Sequence, residues 1–166
     1  KFNSWYIFFY LIKLKIMIQR IQSLYLLIGA IIQALFATGT YFTYQKDGEN
    51  LILSGYGTFG LNDRDAGGDM KSLILGLGIA ALAIVTIFLF KNRKQQMKLS
   101  RFAGLVTFAE IIFIVISYFN VNEISDGDVE PGYCIFILPI STIAFFLASK
   151  SVKKDDDLIK SVDRIR

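Results

Sequence analysis

The chain has 166 residues, 54% of them hydrophobic, and a net charge of +4. It has no histidine and a single cysteine. That excludes a serine–histidine–aspartate triad, a cysteine–histidine pair, histidine-ligated zinc or haem, and an intramolecular disulfide.

The first sixteen residues read KFNSWYIFFYLIKLKI. Their apolar run, Trp5 to Ile12, is too short to span a bilayer and lacks the small-residue cleavage site of a signal peptide. Two readings are open for 1–16: an aromatic helix lying in the membrane interface, or an extension upstream of a start at Met17.

Four apolar blocks follow, and the sequence predicts spanning helices at about 23–44, 72–90, 102–119 and 133–149. Each is long enough to cross a hydrocarbon core, which takes roughly 17–25 residues of helix. They are apolar all round, not striped with period 3.6 as in a soluble bundle. Nor do they alternate as barrel strands do. Backbone groups in lipid must bond internally, so the blocks read as helices. The predicted fold is an all-α, integral membrane four-helix bundle, one domain over 17–166. Tyr25, Tyr41, Phe42, Tyr44, Tyr118, Phe119 and Tyr133 fall at block ends, as in an aromatic belt.

Between blocks one and two, about 45–71, lies the longest loop. Its stretch Leu51–Leu61 suits a small hairpin over the helix ends, and Asn62–Asp69 reads as a turn. The loop at 120–132 is short and acidic. Fifteen of the 18 basic residues lie in the leading segment, the second inter-block loop and the tail. Nine of the 14 acids lie in the other two loops. By the positive-inside rule both termini are cytoplasmic. The net charge thus follows from topology, and no nucleic-acid partner is expected.

Glu110 lies near the middle of the third block. A carboxylate there costs several kcal/mol, so it faces the bundle interior, carries a proton, or both. Gln33, Thr107, Ser141 and Thr142 lie at matching depth and complete a candidate polar layer. One reading is a proton or cation step at Glu110; the other is a hydrogen bond to Gln33 or a hydroxyl that glues helices together. The small-residue spacings Ala30/Ala34 and Gly76/Ala80 permit close packing inside the bundle or between copies. Pro139 is a candidate kink, and Cys134 an inert thiol. The acids Asp63, Asp65 and Asp69, and Asp126, Asp128 and Glu130, do not fit a calcium loop, whose twelfth position counted from Asp63 is Ile74. No metal site or cofactor is expected.

In the tail, 150–166, Asp155, Asp156 and Asp157 suit a helix start. Leu158, Val162 and Ile165 share one face, and Arg164 and Arg166 sit near the helix end. This predicts a short amphipathic cytoplasmic helix, with Asp155, Leu158, Val162, Arg164, Ile165 and Arg166 as candidate docking residues. It would dock on the basic loop, lie on anionic lipid or meet a partner.

From Met17 the chain reads MIQRIQSLYLLIGAIIQ, and it ends KKDDDLIKSVDRIR. Both ends resemble a family of small Bacteroidota membrane proteins, domain of unknown function 4293, over Met17–Arg166. The resemblance implies four helices, an inner-membrane location and a start at Met17. It implies no activity. The function expected is a non-catalytic structural or accessory subunit that meets a membrane partner or a second copy. The alternatives are a small proton- or ion-coupled transporter centred on Glu110 and, weakest, an intramembrane enzyme.

Overall fold

A computed structural model describes residues 4–46, 48–60, 70–125 and 127–163. Side chains are described from Ile21 onward, except at 49, 58–60, 124 and 162–163. The predicted turn Asn62–Asp69, with its acids, lies outside the described residues, as do Asp126, Arg164, Ile165 and Arg166.

Among the described residues, four helices are long and apolar enough to cross a membrane. They are α1 (Ser4–Thr38), α2 (Lys71–Phe88), α3 (Arg93–Ile124) and α4 (Tyr133–Asp163). α1 packs on α2 and α4, and α3 packs on α4 and less extensively on α2. The helices therefore follow one another around the bundle, with α1 and α3 on a diagonal. Small residues set the closest approach. Gly76 lies so near Ala37 that a side chain there would collide with it, which places the predicted small-residue spacing of α2 against α1. Outward, the helices present large apolar side chains such as Ile74, Phe88, Phe136 and Ile143. Exposed apolar surface on this scale suits hydrocarbon better than water.

The all-α expectation is corrected by a four-stranded antiparallel sheet, in the order β3-β2-β1-β4. Its strands are β1 (Thr40–Lys46), β2 (Glu49–Ser54), β3 (Gly57–Gly60) and β4 (Glu130–Pro131). The hairpin expected within Leu51–Leu61 forms from β2 and β3. β1, however, is built from residues assigned to the first helix. That helix ends at Thr38, not 44, just before Gly39, where any side chain would strike the Cys134 thiol on α4. The Thr38 hydroxyl then donates to the carbonyl of Ala34 at 3.1 Å. Beyond Gly39, the run Thr40-Tyr41-Phe42-Thr43-Tyr44 consists of β-branched and aromatic residues that favour a pleated, half-buried surface. Gly48, at φ +76°, supplies the left-handed backbone needed where β1 turns into β2. Tyr41, Phe42 and Tyr44 bury themselves with Phe36, Ile114 and Leu138, so the sheet closes one end of the bundle.

The last two helices exceed their predicted lengths. α3 starts at Arg93, where Asn92 caps it by accepting from the Gln95 amide at 3.3 Å. α4 runs unbroken for 31 residues through Pro139 and the tail. At 1.5 Å per residue it is about 46 Å long, against about 30 Å of hydrocarbon. The separate C-terminal helix is thus corrected to an extension of α4. Asp155, Asp156 and Asp157 lie inside the helix and do not start one.

Candidate functional site

The polar residues of the bundle gather at two levels. The first lies at mid-bundle, between an apolar cluster under the sheet and a second one around Leu26, Ile79 and Phe145. There Gln33 on α1 donates through Nε2 to Glu110 Oε2 on α3. Its Oε1 accepts from the Ser141 hydroxyl on α4 at 3.2 Å. Ser141 also reaches the carbonyl of Leu138 at 2.9 Å. One amide side chain therefore uses both its ends to join three helices, two of them diagonal partners. Gln33 and Ser141 are fully buried and Glu110 is 3% exposed.

Thr107 and Thr142 share the depth but not the bonds. The Thr107 hydroxyl donates back to the carbonyl of Ala103 on its own helix at 2.9 Å. Such a bond to the preceding turn is the usual resort of a helical threonine. Thr142 Oγ1 and Glu110 Oε1 are buried without a hydrogen-bond partner.

A third unpartnered buried oxygen is the Tyr41 phenol, a residue that the sequence places only in an aromatic belt. Its ring stacks on Phe36 at 4.7 Å between centroids. The Ser72 hydroxyl of α2 lies beside the phenol without a hydrogen bond of good geometry. Burial first, and the charge of Glu110 second, push the phenol above the ordinary tyrosine range. Tyr41 stands on the sheet side of the layer, near the start of β1.

The second level is the neck, where α4 leaves the bundle at the end opposite the sheet. Gln22 of α1 donates to the carbonyl of Ser151 at 3.2 Å. Arg101 of α3 donates to the Ser149 hydroxyl at 3.0 Å. Arg93, at the start of α3, pairs with Asp155 at 3.1 Å. Asp155, expected on an exposed docking face, is instead 4% exposed and turned toward α3. Leu158 is exposed on another flank, so these two docking candidates do not present one surface. The Val162 side chain lies outside the described residues. Asp156, the next residue, pairs with Lys160 one turn further along the helix.

The chemistry open to these groups is limited. Among the described residues no three His, Cys, Asp or Glu side chains come together to hold a metal. Cys134 is buried, with its thiol 3.9 Å from the carbonyl of Leu35. The mid-bundle layer can hold helices together, and it leaves one carboxyl oxygen of Glu110 without a hydrogen bond. No curated protein matches the chain. Its sequence matches the domain of unknown function DUF4293 over residues 18–165, and the chain belongs to that family.

Proposed function

We propose that the protein spans the bacterial inner membrane four times with both termini in the cytoplasm, and serves there as a non-catalytic structural or accessory subunit. The charge bias of the loops supports the orientation. The observation that carries the structural reading is Gln33, whose amide is committed at both ends to Glu110 and Ser141. A side chain so committed stiffens the bundle instead of offering itself to a substrate. The α4 extension, held by Arg93 and Asp155, then projects as a rigid rod able to meet a partner in the cytoplasm. The test is purification of the full-length tagged chain from its native membrane in mild detergent. A stoichiometric complex that dissociates when residues 157–166 are deleted supports the reading. A chain that migrates alone in every mild detergent overturns it.

One observation favours a second reading, a proton- or ion-coupled transporter. Glu110 Oε1 and the Tyr41 phenol oxygen are buried without partners, and buried polar atoms without partners are uncommon outside functional sites. Proteoliposomes decide the matter. A proton or cation flux that disappears in Glu110→Gln supports transport, and absence of flux in the unsubstituted protein removes it.

A further inference from the structure

We propose that the open flank of α4 at the neck binds the headgroup of an anionic phospholipid whose acyl chains run along the same helix. The proposal rests on the membrane reading above but not on the accessory role.

Gln22, Arg101 and Arg93 fasten α4 to α1 and α3 at this level. The flank left open is a groove of about 550 Å³, lined by Lys150, Lys153, Lys154, Asp157, Leu158 and Ser161. Nearby cations already have carboxylates: Arg93 takes Asp155 and Lys160 takes Asp156. Among the described residues, no carboxylate forms an ion pair with Lys150, Lys153 or Lys154. Asp157 shares the groove, so three positive charges face one negative. The lysine stems and Leu158 supply apolar surface, while the Ser161 hydroxyl donates back to the Leu158 carbonyl at 2.7 Å.

Position identifies the occupant as a lipid and not a free phosphate. Phe136, Ile140, Ile143 and Leu147 are exposed on α4, spaced three or four residues apart. They form one continuous stripe along the helix. The next step of that stripe is Lys150, followed by Lys154 and Leu158. An apolar track leading without interruption into a cluster of lysines has the form of a phospholipid, chains first and phosphate next. Lys150, Lys153 and Lys154 lie within four helix steps, about 6 Å of rise, which keeps them within the headgroup layer. Basic clusters directly beyond a spanning helix attract anionic lipid.

The full-length protein, purified in mild detergent, is incubated with equal amounts of phosphatidylglycerol and phosphatidylethanolamine, and retained lipid is counted by native mass spectrometry. The unsubstituted chain should retain phosphatidylglycerol severalfold over phosphatidylethanolamine. Lys150→Gln, Lys153→Gln and Lys154→Gln together should abolish that preference, and each alone should reduce it. Replacing Lys91, Lys94 and Lys98 by Gln removes as much charge from the same end and should leave the preference intact. Equal loss in both triple variants overturns the site in favour of general surface charge. An undiminished preference without the groove lysines overturns it also, as does displacement of the lipid by excess inorganic phosphate. Should the groove triple variant fail to fold, the three single variants decide in the same terms. Alkaline extraction of native membranes tests the membrane reading separately. Release of the unsubstituted chain sinks both ideas, whereas retention with no lipid preference sinks only this one.

Discussion

Polar side chains fasten α4 to its neighbours at two levels, by different means. At mid-bundle the tie consists of an amide, a carboxyl and a hydroxyl, packed between two apolar clusters. At the neck it consists of charged and amide groups with partial access to solvent, such as Arg93, whose side chain is 19% exposed. Losing a partner has different consequences in the two places. At the neck, water can replace a missing donor. At mid-bundle nothing replaces it, and the orphaned group bears its full desolvation cost.

The largest effect should therefore come from Gln33→Leu, which strips Glu110 Oε2 of its donor in a residue whose Oε1 already lacks one. A loss of about 1–3 kcal/mol is expected, read as a drop in thermal unfolding midpoint in detergent. Adding Glu110→Leu should return part of that loss, because an apolar pair leaves no orphan. If the double variant is no more stable than Gln33→Leu, the two residues are not coupled. The comparison between the levels would then fail at its first step.

The second effect is a pH dependence on the sheet side of the layer. Burial raises the Tyr41 phenol above its ordinary range, so the folded protein holds the neutral form where the unfolded chain ionises. The stabilisation is complete below the unfolded value, about 10. It is lost as pH rises from there toward the folded value. Unfolding midpoints measured from pH 8 to 12 should fall at the alkaline end, and Tyr41→Phe should flatten that fall while preserving the stack on Phe36. An identical alkaline slope in the variant would show that other groups are responsible.

Arg93→Ala probes the neck and comes third. It leaves Asp155, 4% exposed, without its cation. Water at the helix end softens the penalty, and a loss of about 1 kcal/mol is expected. The difference from the unsubstituted protein should narrow in 1 M salt, where screening acts over about 3 Å. The Gln33→Leu difference should not move with salt. A salt-insensitive Arg93→Ala would place the neck in the same energetic class as the mid-bundle.

The two levels also differ in how far the sequence disclosed them. Glu110 was conspicuous because a lone acid in an apolar block has few places to go, and Gln33 and Ser141 followed from matching depth. Depth says nothing of azimuth. It therefore did not separate Ser141, turned toward Gln33, from Thr107, whose hydroxyl returns to its own helix. The sheet was half legible. The stretch Leu51–Leu61 reads as a hairpin, but β1 falls within the predicted first helix because Tyr41, Phe42 and Tyr44 are as apolar as the helix before them. Gly39 followed by a run of β-branched and aromatic residues was the signal to weigh. At the neck, three consecutive aspartates resembled a helix start because local propensity favours one there. The contact that turns Asp155 inward is with Arg93, 62 positions earlier, and no local pattern contains it.

The smallest effect is expected one turn beyond the neck, and it bounds the comparison. Lys160 and Asp156 form an ion pair four residues apart on α4, with side chains 56% and 28% exposed. Such pairs contribute about 0.3–0.5 kcal/mol, and salt removes most of it. Lys160→Ala should thus leave the unfolding midpoint within error of the unsubstituted protein at physiological salt. What it should change is local, namely amide hydrogen exchange in the last two turns of α4, where fraying is least opposed. Faster exchange confined to residues beyond Asp156, with protection at Ser149–Val152 intact, would locate the Arg93–Asp155 pair as the boundary between the fastened and the free part of the helix. Acceleration that extends back past Asp155 would mean that the neck contacts do not hold α4 independently of its end.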